Sequence, residues 1–344
     1  MPIRFLKFLI PAAAALAVFA TAPLRAQTAL TFSTFVPLAH PINKTIFLPW
    51  CEEVAAATAK RVSCRVLPKA VAAPPGTFDA VRDGLADVSY TVHGYTPGRF
   101  FLTKVVEMPF LGDKAEHVSL AYQRIHEKYL ENAGEHKGVK VLAVFSHGPG
   151  HIYNTKRPIK SIADLQGLKV RVGGGVVNDI AGALGIASIL RPSTESYEIL
   201  SSGVADGLFF PIESVASFKL EKIIRYATHL PGGFYNTSFL LMMNEAVWNK
   251  LSKADQDAIW SVSGERGARK FGRGWDASDA VGLATLKGAN VDIITASPQF
   301  VAEMKKKIQP VEDEWIKEAK SRGWDGARFL GELRAEVKKL AAAK

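Results

Sequence analysis

Cysteine is scarce: Cys51 and Cys64 are the only two in 344 residues, too few to frame the fold with disulfides or to build a thiolate metal centre. Beyond the N-terminal leader no run of roughly 18 apolar residues occurs, which excludes a membrane-spanning helix from the rest of the chain. Long blocks of one charge are missing as well. The short run Lys305-Lys306-Lys307 reads as a solvated helix face rather than a nucleic-acid patch. Catalytic signatures are absent too: there is no G-x-S-x-G, H-E-x-x-H, Walker A or EF-hand loop. No catalytic residue, cofactor or metal ligand is assigned on that basis, although side chains far apart in sequence can still meet in space.

What is present is ordinary globular composition, 48% hydrophobic and 22% charged, in a length sufficient for two domains and a large core. The formal charge is +10, which suits a surface that collects small anions. Residues 1–26 read as a secretory signal peptide. Arg4 and Lys7 make its basic start, residues 8–20 its apolar stretch, and Leu24-Arg25-Ala26 a cleavage site before Gln27. Export to the periplasm leaves little access to nucleic acid. In that oxidising compartment Cys51 and Cys64 can form a disulfide, because a helix of the intervening length and a returning strand bring them together. Two buried thiols fit the same spacing.

The chain is organised around residues 167–185, GLKVRVGGGVVNDIAGALG. Residues 169–172 have strand character and include Arg171. Gly173-Gly174-Gly175 permit a sharp turn. From Val176 the apolar residues Val177, Ile180, Ala181 and Leu184 follow helical spacing. An arginine therefore stands at the C-terminal end of a strand, just before a helix, at the edge of an α/β sheet where ligands bind. A guanidinium beside helix N–H groups suits an anion; a surface arginine at a strand end fits the same residues. The glycines are no dinucleotide fingerprint, since G-x-G-x-x-G needs glycine where Asn178 stands.

Two further stretches match each other. Gly84-Leu85-Ala86-Asp87 precedes the apolar residues 88–95, and Gly203-Val204-Ala205-Asp206 precedes residues 207–214. The shared G-x-A-D, with a helix before and a strand after, predicts two α/β lobes built on one plan, their strands ending at the cleft between them. His93 and Tyr95 come from the first such strand, and Phe209, Phe210 and Glu213 from the second. Residues 139–145 and 238–244 read as buried strands. Pro49 is expected to kink or split a helix that ends near residue 60. Ser252 with Asp255, and Ser297 with Pro298, mark helix starts. Glycines 264, 267, 272 and 274 predict breaks in the helical segment between them. His147 and His151 stand in a Gly-Pro turn rather than on a helix, which favours contact with ligand or solvent over a metal.

Residues 157–186, RPIKSIADLQGLKVRVGGGVVNDIAGALGI, and 196–214, SYEILSSGVADGLFFPIES, carry a family resemblance that extends over the mature chain. They are similar to the P-i-x-x-x-x-D-L-x-G-l-K-i-R-v and Y-x-a-L-x-x-G-v-v-D-G signatures of the periplasmic solute-binding proteins of tripartite ATP-independent periplasmic (TRAP) transporters, whose members include dicarboxylate binders. The resemblance implies an α/β, two-lobed periplasmic-binding-protein architecture with a hinge and a long helix crossing both lobes, here about 253–287. It implies lobe I over 27–147 plus about 236–277, and lobe II over 148–235 plus about 278–344. It also implies that Arg171 forms a bidentate salt bridge with a ligand carboxylate, and that the partners are a small organic acid and the small and large membrane permease subunits.

The departures from the family are informative. Many members place asparagine before the proline of the second signature; here Phe210 precedes Pro211, beside Phe209. Many have a second arginine after the middle strand; here the turn carries Gly150 and His151. Metal-dependent keto-acid binders have glutamate and tryptophan after the signature aspartate, where Leu208 and Phe209 stand, which argues against a metal. Aromatic walls favour an apolar or aromatic monocarboxylate. As strand neighbours, Phe209 and Phe210 must face opposite ways. The expected ligand-binding set is Arg171, Phe210, Phe209, His151, His147, His93, Tyr95, His40, Glu213, Phe234 and Asn236. The competing readings are a C4-dicarboxylate or other organic-acid binder serving an ABC importer or a sensor, and an exported enzyme.

Overall fold

The computed structural model describes residues 27–343, so the expected signal peptide and its cleavage site lie outside the described residues. Strands follow one another as β1 (Thr28–Ser33), β2 (Val62–Val66), β3 (Val88–Val92), β4 (Val139–Ser146), β5 (Gly150–Asn154), β6 (Lys169–Val172), β7 (Ala187–Leu190), β8 (Gly207–Pro211), β9 (Tyr226–His229), β10 (Ser238–Asn244) and β11 (Asp292–Thr295). They form two sheets, ordered β2-β1-β3-β10-β4 and β11-β9-β5-β8-β6-β7. Each sheet is mostly parallel and holds one reversed strand, β10 in the first and β5 in the second. Helices cover both faces, which is why β3, β5, β8 and β10 are buried at every position, and β8 and β10 read in sequence as largely apolar runs. The chain leaves the first sheet between β4 and β5 and returns to it between β9 and β10.

The repeated G-x-A-D stretches occupy equivalent places. Asp87 Oδ2 accepts from the Thr31 amide and hydroxyl, both at 2.7 Å, tying the start of β3 to β1. Asp206 Oδ2 accepts from the Lys169 amide at 3.0 Å, tying the start of β8 to β6. Cys51 and Cys64 are disulfide-bonded and join the helix Leu48–Ala57 to β2. Pro49 lies within one continuous helical run, residues 41–57, and divides it: the run is a π turn over Asn43–Phe47 and α-helical from Leu48, so the expected split takes the form of a change of helix type just before the proline. Both expected N-caps form: Ser252 accepts from the Asp255 amide and Ser297 from the Phe300 amide.

The long helix differs from its expected extent. A separate helix, Lys253–Ser261, comes first, and the lobe-spanning helix is Gly264–Gly288. Gly267, Gly272 and Gly274 do not break it. At Gly272 neighbouring backbone comes too close for a side chain, since a Cβ there would stand 2.4 Å from Glu116 Cα, and at Gly274 a Cβ would stand 2.8 Å from the Ile46 side chain. Further along, a Cβ on Gly282 would stand 2.8 Å from the Ile212 carbonyl oxygen. Between these two contacts Asp276 accepts from the Ala115 and Glu116 amides at 2.8 and 3.2 Å, and Asp279 from the Glu213 amide at 2.7 Å. Each carboxylate thus caps the N-terminus of one helix, Ala115–Ile125 in the first lobe and Ile212–Ser217 in the second.

At the C-terminus, Pro298–Ser321 packs against Val176–Ala183 in the second lobe. The last helix, Gly326–Ala342, instead returns to the first lobe, where Glu332 accepts from Tyr129 Oη at 2.6 Å and Glu336 pairs with Arg124. Residues 326–342 therefore pack apart from the second sheet, with which the sequence reading grouped them. No helix among the described residues is long and apolar enough to cross a membrane.

Candidate functional site

Arg171 is the third residue of β6 and faces the gap between the lobes. It is 1% exposed. Its Nε and Nη2 donate to the Arg191 carbonyl oxygen at 2.9 and 2.7 Å, and the guanidinium lies 4.6 Å from the centre of the Phe210 ring. Among the described residues no carboxylate lies within ion-pair distance of it. Burial pushes its pKa down, opposed by the Tyr95 and Tyr235 phenols, but a guanidinium stays charged in proteins. A buried cation without an anion is costly, and the remaining N–H donors suit a carboxylate that supplies the missing charge.

This guanidinium borders a cavity shared by both lobes. Phe35, His40, Tyr90 and Tyr95 come from the first lobe, and Ser193, Phe210 and Phe218 from the second. His147 and Tyr235 come from the segments that cross between the sheets, and Trp275 from the long helix. The walls are aromatic, and Arg171 is the only arginine or lysine among the lining residues. Tyr95 Oη accepts from the Ser193 amide at 3.0 Å, a hydrogen bond from one lobe to the other. Behind it the lobes meet backbone to backbone, where a Cβ on Gly94 would stand 2.8 Å from the Gly174 carbonyl group.

Of the residues the sequence singled out, Arg171, Phe210, His147, Tyr95 and His40 line this cavity. The other six are placed elsewhere. Phe209 points to the opposite face of β8 and packs edge-to-face on Phe234, both fully buried in the core. His151 stacks on His229, and its Nδ1 accepts from the Leu230 amide at 3.1 Å. Glu213 lies 3.7 Å behind His40, bonded to Ser214 and Ser217. Asn236 is buried with both amide atoms unpartnered, outside the cavity lining. His93 belongs to a buried relay: its Nδ1 meets Ser238 Oγ at 2.7 Å, its Nε2 meets His136 at 2.8 Å, and His136 meets His126 at 3.4 Å. No group of three His, Cys, Asp or Glu side chains among the described residues is placed to hold a metal.

Trp275, Phe218, Phe239 and Ser193 also line the cavity and were missed. Trp275 sits in a glycine-rich helix whose sequence speaks of packing, so no local signal marks it. Phe218 follows a helix that begins where the sequence reads as strand.

The titratable groups give a pH prediction. Burial lowers seven histidines below 6.5: His93 to about 3, His40, His126, His147 and His229 to about 4, and His136 and His151 well down. The unfolded chain takes up these protons near pH 6.5 and the folded chain only lower, so their stability is full above pH 6.5 and is lost toward pH 4. Buried carboxyls act in the opposite sense. Burial pushes Glu107 and Glu213 up to about 7 and Asp279 up to about 8, and raises Glu135 and Asp276. What these contribute is present in acid and lost as pH rises through 7 to 8. Histidines outnumber them below pH 6.5, and only carboxyls titrate above it. The melting temperature of the ligand-free protein is expected to peak near pH 6.5; a steady rise to pH 9 in a calorimetric series would contradict this.

An apolar cavity enclosed between two lobes, with a single buried charge, belongs to proteins that close around a small solute. A model described as bacterial extracellular solute-binding protein, family 7, matches residues 32–318, and the chain belongs to that family. A Comamonas testosteroni chain named outer membrane transporter protein TsaT is 32% identical over 327 residues, 93% of this chain and 96% of that one. A TRAP periplasmic solute-binding protein from Bordetella bronchiseptica, crystallised with (R)- and (S)-mandelate, is 46% identical with a TM-score of 0.88, covering 91% of this chain and 99% of that one. A marine metagenome TRAP solute-binding protein specific for aromatic acid ligands, in complex with 3-hydroxybenzoate, is 34% identical with a TM-score of 0.86 over the same shares.

Proposed function

We propose that this protein captures an aromatic or similarly apolar monocarboxylate in the periplasm, between two lobes, and delivers it to the small and large membrane subunits of a TRAP transporter without altering it. The observation that carries the reading is Arg171, a buried cation with no acidic partner in an aromatic-walled cavity. Arg171 clamps the carboxylate through its free N–H groups, and Phe210 with Phe218 walls the ring. The binding of mandelate and 3-hydroxybenzoate by similar proteins supports the ligand class. A C4-dicarboxylate would need a second cation, and none but Arg171 borders the cavity among the described residues. Closure moves 27–147 plus about 236–277 against 148–235 plus about 278–325, with the segments crossing between the sheets as the hinge.

A thermal-shift series on residues 27–344 tests this. A ligand that binds only the native state raises the melting temperature by mass action. Benzoate and mandelate are expected to shift it, and succinate to leave it in place. A shift with succinate alone would overturn the monocarboxylate reading. Recovery of a chemically changed ligand after incubation would overturn the assignment as a carrier.

A further inference from the structure

Two buried donors that line the cavity have no partner. Trp275 is 4% exposed and its indole Nε1–H meets no acceptor. His40 is 8% exposed, and its Nε2 is likewise unpartnered. The state of His40 follows from its other nitrogen. Nδ1 lies 3.3 Å from the Ile42 amide, which can only donate, so Nδ1 is the bare acceptor. Burial keeps the ring neutral, with its pKa down at about 4, so the single ring proton sits on Nε2. Both orphans are therefore donors, and a buried donor left unpaired is costly.

Their place relative to Arg171 sets what would satisfy them. Phe210 lies against the guanidinium at 4.6 Å, Phe218 lies 5.9 Å from Phe210, and the His40 ring lies 5.2 Å from Phe218. His40 thus stands beyond an aromatic wall whose near end is the carboxylate clamp. Trp275 is reached by way of Tyr235 and His147, at 5.5 and 5.9 Å between successive ring centres. A plain aryl carboxylate would satisfy the clamp and leave both distal donors unpaired.

Resting on the function proposed above, we infer that the preferred ligand is an aromatic monocarboxylate bearing a second oxygen remote from the carboxylate, which accepts a hydrogen bond from His40 Nε2–H. Because His40 Nε2–H donates, the oxygen need only accept. An ether oxygen serves as well as a hydroxyl, and a methyl group of similar size does not.

Calorimetric titration of the protein with benzoate and with the ring-substituted hydroxy-, methoxy- and methylbenzoates tests this. At the best ring position, the hydroxy and methoxy acids are expected to bind about tenfold more tightly than benzoate or the methyl acid, the cost of one unpaired buried donor. In His40→Phe that ratio is expected to collapse to about twofold. Equal affinity for benzoate and every oxygenated acid overturns the inference. So does a ratio retained in His40→Phe, and so does methyl matching methoxy, which would mean shape alone is read. If benzoate binds and the ratio is absent, this inference fails and the function stands; if no aryl acid binds, both fall.

Discussion

Replacing Arg171 by methionine should remove ligand binding while leaving a folded protein. The substitution keeps most of the apolar stem and deletes the guanidinium, so a carboxylate entering the cavity would be buried without its counter-charge. Deleting one partner of a buried ion pair typically costs about 3–5 kcal/mol, a loss of affinity of more than about a hundredfold. The free protein should not suffer to the same degree. Its guanidinium has no anionic partner to lose, and what disappears is the two hydrogen bonds to the Arg191 carbonyl and the contact with the Phe210 ring. Calorimetry paired with denaturant unfolding separates the two effects. Arg171→Lys should rescue little, because an ammonium cannot reproduce the two-pronged fork. Unchanged affinity in Arg171→Met would take the residue out of the site.

The second large effect is expected far from any ligand atom, at Gly94. The lobes touch there through main chain, and a methyl group would stand 2.8 Å from the Gly174 carbonyl carbon and oxygen. Both atoms are backbone, held by the turn that leads into the helix Val176–Ala183, so they cannot swing aside as a side chain would. Gly174 itself has φ +88°, and a substitution there would mix backbone strain with the clash; Gly94 avoids that ambiguity. Gly94→Ala should therefore hold the lobes apart without disturbing either one. If closure is opposed by about 1–3 kcal/mol, the usual cost of overpacking, affinity should fall by roughly ten- to a hundredfold. The unfolding free energy should change little, and small-angle scattering with saturating ligand should show a larger radius of gyration than the parent. Wild-type affinity in Gly94→Ala would show that this contact does not gate closure.

Much of this architecture is written locally. The repeated G-x-A-D marks equivalent strand starts because Asp87 and Asp206 each fasten a neighbouring parallel strand, a role confined to a few consecutive residues. Arg171 is legible because a cation at a strand end, before glycines and a helix, has few places to go but a cleft. The remainder of the site depends on long-range packing. His93, His151 and Asn236 belong to loops and strand ends that approach the cleft in sequence, yet each turns into the interior of its lobe. Trp275 comes from a helix whose own composition predicts breaks. Those glycines cost helix stability in isolation, and at Gly272 the backbone of Ala115 and Glu116 fills the space a side chain would take. Periodicity along one segment cannot report what a distant segment brings against it.

The lobe-spanning helix has a consequence for how its length can vary. Gly272 and Asp276 dock one lobe, and Asp279 and Gly282 the other, on a single rigid rod. Each residue of an α-helix advances about 100° around its axis. One residue inserted or deleted between Asp276 and Asp279 would rotate one docking face by that angle relative to the other, so the two halves of the cavity would no longer meet. Side chains elsewhere on this rod can drift; the count of residues between its two docking points cannot. The helix works as a keyed shaft that fixes the phase of the two lobes.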